Sequence, residues 1–426
     1  MVSCRSFSDS RRPLREAALA LLAWLAVAPI VVADDVALPL VTVLTVEGEQ
    51  AEGGLKRLDD EGVQLDDGTA KTLPLESVVS LQLGSNSEPP QTSGNWLLFA
   101  NGDRIAAEAV RFDGEFVQTR PNRGIVSDEW QVPVEVLSAM TWSLDGSRLA
   151  RMQSRLQPGE LREDLLLLAN ADRVTGELIE FDERTVTIET SVGEIPVERS
   201  RLAGLAFNPD LVVAPAAPVR GAVIGFHDGS RLTVQSARFI PDSDDAGRDT
   251  IEVEPLFGDS IRLSLAAVSS IELLRPDLRC LAEVDPAEVT MEQTPYLSSA
   301  PPPVWNDSVA GSPLRLRGGA PARGIGVLSG TTLTFALQPG DESFLAIVGI
   351  DDAADGQGSA RFSILLDGKE AWTSSELTGR DDPVVAGPID LAGASELTLR
   401  VDFGAYGDIR DFADWCTPVI VRTPTE

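Results

Sequence analysis

The chain has 426 residues, 43% hydrophobic and only 5% aromatic, a balance that suits several domains with small cores. Its formal charge is −31 and its pI is near 4.3, so it repels phosphate backbones and direct nucleic-acid binding is excluded. The acidic residues are spread along the chain, as on a solvated surface, and are not gathered into one tail.

The first segment reads as an address. Arg5, Arg11, Arg12 and Arg15 form a positive region, an Ala/Leu-rich run extends from Ala17 to Val32, and Val31-Val32-Ala33 supplies a small residue before the polar Asp34-Asp35. This pattern predicts a secretory signal peptide over residues 1–33 and a periplasmic or secreted product, with an uncleaved N-terminal anchor as the alternative. No second apolar run reaches spanning length, so no membrane span is expected after cleavage. Cys4 leaves with the signal, which keeps Cys280 and Cys416 near the two ends of the last predicted domain. A disulfide between the first and last strands of that domain, or two buried free thiols, both fit an even count in an oxidising compartment.

Internal repeats organise the next 240 or so residues. Trp96-Leu97-Leu98-Phe99-Ala100-Asn101-Gly102-Asp103-Arg104 matches Leu165-Leu166-Leu167-Leu168-Ala169-Asn170-Ala171-Asp172-Arg173, and Ile224-Gly225-Phe226-His227-Asp228-Gly229-Ser230-Arg231 is a third copy. A more divergent one runs from Val41 through Glu47-Gly48-Glu49 to Leu55. Each is a strand, a tight polar turn and a second strand. Each closes on a short motif: Leu73-Pro74-Leu75, Val132-Pro133-Val134, Ile195-Pro196-Val197 or Ile261-Arg262-Leu263. Val174, Gly176, Leu178, Val186 and Ile188 alternate with polar neighbours at strand spacing. The reading is β repeats at 40–84, 95–145, 164–208 and 220–276, each similar in pattern to a small SH3- or Sm-like barrel that closes to hide its edges. Pro-rich connectors at 85–94, 146–164 and 208–219 separate them. Arg148, Arg151 and Arg155 read as a basic connector.

From 278 to 423 the repeats stop. Phe344 to Ile350 reads as a buried strand ending in Asp351-Asp352, and Phe362 to Trp372 as a hairpin around Asp367-Gly368. Thr331 to Leu337, Leu397 to Asp402 and Pro418 to Val421 add further strands, and about eight strands with long loops predict a β-sandwich.

The order of Gly324-Ile325-Gly326-Val327, Val348-Gly349-Ile350-Asp351-Asp352, Gly356 to Phe362, the Asp367-Gly368 hairpin and Asp408 to Trp415 resembles the NPCBM family, a novel putative carbohydrate-binding module. The resemblance implies a galactose-binding-like jelly-roll sandwich, recognition of sugars (often galactose-containing glycans) and sometimes a structural calcium ion. Two departures stand out. Leu328 occupies the place of a usual histidine, and the closing Ala-Asp-Trp-Ala-Asp reads Ala413-Asp414-Trp415-Cys416-Thr417. The fold class that follows is all-β, a C-terminal jelly-roll sandwich preceded by about four small SH3-like barrel repeats.

A sugar site needs an aromatic face for the pyranose and planar polar groups for its hydroxyls. Trp305, Trp372, Tyr406 and Phe412 are the aromatic candidates, although Trp372 and Trp415 also read as core. Arg323, Asp351, Asp352, Tyr406, Asp411 and Asp414 are the expected carbohydrate-binding residues. Asp351, Asp352 and Asp355 are the candidate calcium ligands, with a capped turn as the alternative reading. A single histidine, His227, excludes histidine triads and zinc cages. Glycoside hydrolysis needs two carboxylates about 5–9 Å apart in a cleft, and no segment is left for such a scaffold. No Gly-rich phosphate loop precedes a helix. The expectation is an exported, non-catalytic protein that binds polysaccharide or glycan, with the repeats as spacer or docking surface. The alternatives are an envelope assembly protein and a targeting subunit for a separate hydrolase.

Overall fold

The computed structural model describes residues 38–84, 93–121, 130–145, 162–239, 250–294, 300–405 and 407–423. The expected signal peptide, the Arg148–Arg155 connector and Tyr406 lie outside these residues. Among the described residues every regular element of four or more residues is a strand, and no helix there is long and apolar enough to cross a membrane.

Four units repeat one plan. In the first, β1 (Leu40–Thr45), β2 (Gln50–Asp59), β3 (Gly62–Asp66) and β4 (Ala70–Leu73) form an antiparallel meander. A 3-10 turn (Leu75–Ser77) follows, and β5 (Val78–Leu83) returns to pair with β1. The second unit sets β6 (Ser93–Phe99), β7 (Arg104–Phe112), β8 (Phe116–Pro121), β9 (Trp130–Pro133) and β10 (Leu137–Asp145) in the same order. The third has β11 (Asp164–Leu168), β12 (Arg173–Phe181), β13 (Thr185–Thr190), β14 (Gly193–Glu198) and β15 (Leu202–Ala206). The fourth has β16 (Gly221–Phe226), β17 (Arg231–Phe239), β18 (Thr250–Pro255), β19 (Ile261–Ser264) and β20 (Val268–Leu274).

Within each unit the last strand returns to the first, and the units are also joined to one another. Among the described residues β4 is not paired with β5, nor are the equivalent strands of the other units. Instead the last strands pair between units. Leu81 of β5 faces Ile271 of β20, and Met140 of β10 faces Leu205 of β15. The first unit thus joins the fourth, and the second joins the third, each pair forming one continuous antiparallel sheet. The second strands touch at equivalent positions, Leu58 with Phe239 and Phe112 with Phe181. An unpaired strand edge invites association, and the pairing of β5 with β20 covers one such edge on each strand. The remaining edges carry the repeated motif. Pro74 directly follows β4, Pro133 ends β9 and Pro196 lies within β14, a strand with one partner only, as befits a residue confined to strand ends and edges.

Strand alternation then decides what each face meets. Val78, Leu81 and Ile271 point into a core shared by all four units. Their neighbours Val79, Ser80, Ser270 and Glu272 point the other way and are also buried. Val79 and Leu44 belong to the core of the C-terminal sandwich, so the first unit helps to build that domain.

The sandwich has two six-stranded sheets. One contains β21 (Leu278–Cys280), β23 (Val304–Trp305), β24 (Gly324–Leu328), β26 (Asp341–Ile350), β30 (Val384–Asp390) and β32 (Phe412–Arg422). The other contains β22 (Thr290–Gln293), β25 (Thr331–Ala336), β27 (Ser359–Leu366), β28 (Lys369–Thr373), β29 (Leu377–Thr378) and β31 (Glu396–Phe403). Phe335, Phe344, Phe362 and Trp415 fill the space between them, with the Phe362 and Trp415 rings edge to face at 5.3 Å. Burying each such ring contributes on the order of 2–3 kcal/mol. Asp367 and Gly368, both at positive φ, form the expected tight turn between β27 and β28.

The expected disulfide is not formed. Cys280 faces Val419 across the β21–β32 ladder while Cys416 faces Gly324 on β24, so the register does not set one cysteine opposite the other. Both are buried free thiols, and burial pushes Cys280 up to about 12 and Cys416 well above the usual thiol range.

Candidate functional site

The loops at one end of the sandwich carry exposed polar groups beside the expected site residues. They follow β24 (Ser329-Gly330), β26 (351–358), β28 and β29 (374–383) and β31 (404–411). Backbone packs on backbone here. A side chain at Gly379 would lie 2.3 Å from the Gln357 carbonyl, and Gly358, at φ 79°, sits equally tight against the Arg410 carbonyl. Only glycine fits such approaches.

Beneath the loops lie three buried carboxyl groups. Asp411 accepts from the Ser359 amide at 2.7 Å and from the Ser329 hydroxyl at 2.8 Å, which ties three loops together. Burial still raises its pKa, opposed by those two donors. Asp351 accepts from the amides of Arg315 (2.9 Å) and Ala353 (2.7 Å), capping a 3-10 turn. Beside it, Asp414 is fully buried, and no N–H among the described residues reaches either of its oxygens. Burial first, and then the neighbouring Asp351 carboxylate, push Asp414 well above the carboxylate range. Burial shifts Asp351 in the same direction, so both members of the pair are displaced toward the protonated form.

Of the residues read as sugar ligands, Asp351, Asp411 and Asp414 are thus internal struts. Arg323 is internal too. It is 3% exposed, its Nε donates to Glu272 at 2.9 Å and its Nη1 to Glu283 at 2.8 Å. These four are not presented to a ligand. Asp352 is half-buried, and its oxygens accept from the amides of Arg317 and Gly318 at 2.9 and 2.8 Å. The calcium trio does not converge. Asp351 and Asp352 are already occupied by backbone donors, and Asp355 is exposed and faces Arg410 at 3.9 Å. Among the described residues, no group of three or more His, Cys, Asp or Glu is arranged to hold a metal ion.

The aromatic candidates are also partly absorbed. Trp305, Trp372 and Phe412 are half-buried and pack against the sandwich core, and Trp415 is wholly inside. Beside the exposed Ile409, the loop end presents planar polar groups, among them Arg317, Gln357, Glu376, Arg380, Asp381 and Arg410. Arg317 Nε donates to Asp382 at 3.2 Å, and Asp381 accepts from the amide and hydroxyl of Thr378. Hydrogen bonds from Thr378 hold Asp381 below the usual carboxylate range, so it is a standing acceptor at neutral pH. Guanidinium, amide and carboxylate groups at one rim suit a ligand rich in hydroxyl pairs. The sequence reading missed Arg317, Gln357 and Arg380. Their signal was the glycine beside each (Gly318, Gly356 and Gly358, Gly379), which marks loops forced close together.

Residues 287–421 match the family model described as the NPCBM/NEW2 domain. The sandwich is an NPCBM/NEW2 domain. A curated relative, a putative endo-alpha-N-acetylgalactosaminidase from Renibacterium salmoninarum, is 29% identical over 105 residues. That stretch is 25% of this chain, and it spans only 7% of the relative's length. Among solved structures, a CBM51 module of a Clostridium perfringens GH95 protein, in complex with methyl-galactose, is 20% identical over 34% of this chain and 99% of that one, at a TM-score of 0.30. A Clostridium perfringens ZmpB fragment containing CBM51-2 in complex with GlcNAc is 18% identical, covering 44% of this chain and 40% of that one, at a TM-score of 0.31. The tandem CBM51 modules of a family 98 glycoside hydrolase from Streptococcus pneumoniae SP3-BS71 are 10% identical, covering 90% and 88%, at 0.30. The family match ends at the NPCBM/NEW2 domain, and the repeat block to which that domain is joined lies outside it.

Proposed function

We propose that this chain is an exported, non-catalytic protein that binds glycan at the loop end of its NPCBM/NEW2 domain, with the repeats as the platform. The family match over 287–421 carries the reading, because that stretch contains the loop end and its exposed Gln357, Arg380 and Arg410. Planar groups on a glycine-tightened rim bracket sugar hydroxyls without rearranging. The non-catalytic part is supported by the Asp351–Asp414 pair. These close carboxyl groups are sealed from solvent, out of reach of a glycosidic bond. Export rests on the signal-like pattern of residues 1–33.

The test is affinity electrophoresis and a glycan array on the full chain, with methyl galactoside and GlcNAc as first probes. Retardation by a galactose- or GlcNAc-bearing polymer, lost in Arg380→Ala or Gln357→Ala, supports the reading. Failure to bind any glycan overturns it. A second reading, targeting of a separate hydrolase, draws on the hydrolase name of the curated relative, of which the matched stretch is a small part. Co-purification with a hydrolase would favour it.

A further inference from the structure

One segment, Asp307 to Arg323, connects the repeat block to the loop end. On one side it is fastened to the repeats. Asp307 receives both terminal nitrogens of Arg104, at 2.7 and 2.6 Å. Arg315 Nη2 donates to the His227 carbonyl at 3.0 Å, and the Ser269 hydroxyl donates to the Ala320 carbonyl at 2.7 Å. Glu272 of β20, with a fully buried side chain, takes the amides of Ala322 and Arg323 on Oε1 and the Arg323 guanidinium on Oε2. A side chain at Gly229 would collide with Pro313 at 2.3 Å, so the turn and the segment are in direct contact.

On its other side the same segment holds the rim. The Arg315 amide binds Asp351, and the Asp352 amide returns a bond to the Arg315 carbonyl at 2.8 Å. The Arg317 and Gly318 amides grip both oxygens of Asp352, and Arg317 reaches Asp382. Leu314 and Leu316, between these anchors, are buried in the sandwich core. The segment has fixed partners on both sides and little slack between them.

From this geometry we infer that Glu272 is a positioning residue for the glycan rim: through Arg323 and the Asp307–Arg323 segment, the fourth repeat sets the conformation of the loop at Asp351–Gly358. This rests on the reading of the loop end as the glycan site, and it deepens that reading by making the repeats part of the site's control. Glu272 touches no ligand. Its two carboxylate oxygens hold three donors at once, and a neutral amide keeps the acceptor on one side only. Coupling between sites of this kind changes affinity by about five- to 150-fold.

The experiment uses the full chain and three variants: Glu272→Gln, Glu272→Leu and, as an exposed control, Glu198→Gln. Amide hydrogen exchange is read by segment, and affinity for a galactoside polymer is read alongside it. Glu272→Gln is expected to raise exchange at 315–319 and 351–358 while the central strand Asp341–Ile350 keeps its protection, and to weaken binding at least about fivefold. A merely structural role would loosen β26 and the rim alike. Unchanged exchange at 351–358 in Glu272→Gln overturns the inference, as does a uniform rise across the sandwich. Should Glu272→Leu fail to fold, the Gln variant still decides. If the unsubstituted chain binds no glycan, the site reading falls, yet the exchange pattern still tests the coupling by itself.

Discussion

Asp414 lies against Asp351 with neither of its oxygens reached by an N–H donor of the described residues, a carboxyl pair closed inside the sandwich. Burial and the Asp351 charge raise the Asp414 pKa in the folded state above its unfolded value. The folded chain therefore binds a proton that the unfolded chain releases, and the sign follows. The contribution to stability is complete below the ordinary carboxylate pKa and is lost as pH rises from there through the folded value. Replacing Asp414 with Asn supplies a permanent N–H donor to Asp351 and removes the titration. Asp414→Asn is expected to raise the thermal midpoint at pH 8 by the equivalent of about 1–2 kcal/mol and to change it little at pH 4. Equal destabilisation at both pH values in calorimetry would contradict this account.

The same pair shows where the sequence stopped being legible. Alternation and turn dipeptides were enough for the all-β class, and the ordered motifs from Gly324 to Trp415 were enough for the C-terminal domain, because both depend on local spacing. Aspartates at strand ends looked like ligands because exposure cannot be read from residue type. Asp351 and Asp411 turned inward since loop amides and the Ser329 hydroxyl needed acceptors there, and Asp414 sits inside against Asp351. The pairing of β5 with β20 joins residues about 190 apart, and no local pattern encodes such a contact. Glu272 within Ser269-Ser270-Ile271-Glu272-Leu273 is the only charge in its strand, and a buried charge must find a partner.

Arg104 grips Asp307 with both terminal nitrogens while its Nε donates to the Gly229 carbonyl and its guanidinium lies 5.7 Å from the Trp96 ring centre. With side chains only 12% and 26% exposed, this is not a solvent-screened surface pair. A double-mutant cycle with Arg104→Ala and Asp307→Ala is expected to give a coupling of about 1–3 kcal/mol. Arg104→Lys should lose most of it, since an ammonium cannot present two parallel donors. A coupling near zero in urea unfolding would mean the fork contributes nothing to docking.

Calcium removal is expected to leave the chain unchanged. Asp351 is buried on the amides of Arg315 and Ala353, Asp352 is held by those of Arg317 and Gly318, and among the described residues no three carboxylates are arranged to surround a hard cation. Unfolding scans with excess chelator and with millimolar calcium should superimpose. A rise of several degrees with calcium would require ligands other than this trio.

The sandwich should not survive separation from the repeats. Leu44 and Val79, donated by the first unit, are 2% and 0% exposed within the sandwich's core, and their loss opens that core to water. Removing Glu272 leaves Arg323, also buried, with only the exposed Glu283 as a carboxylate partner. Each lost aliphatic contact costs roughly 1–3 kcal/mol, and the Glu272 bonds that order Ala322 and Arg323 go with the repeats. Against the whole stability of an ordinary domain, about 5–15 kcal/mol, that is a large share. Residues 278–426 expressed alone are therefore expected to aggregate or to show a broad, low thermal transition, whereas residues 38–426 unfold sharply. A soluble, monomeric 278–426 fragment with the same midpoint as the longer chain would show that the repeats merely adjoin the domain and do not complete it.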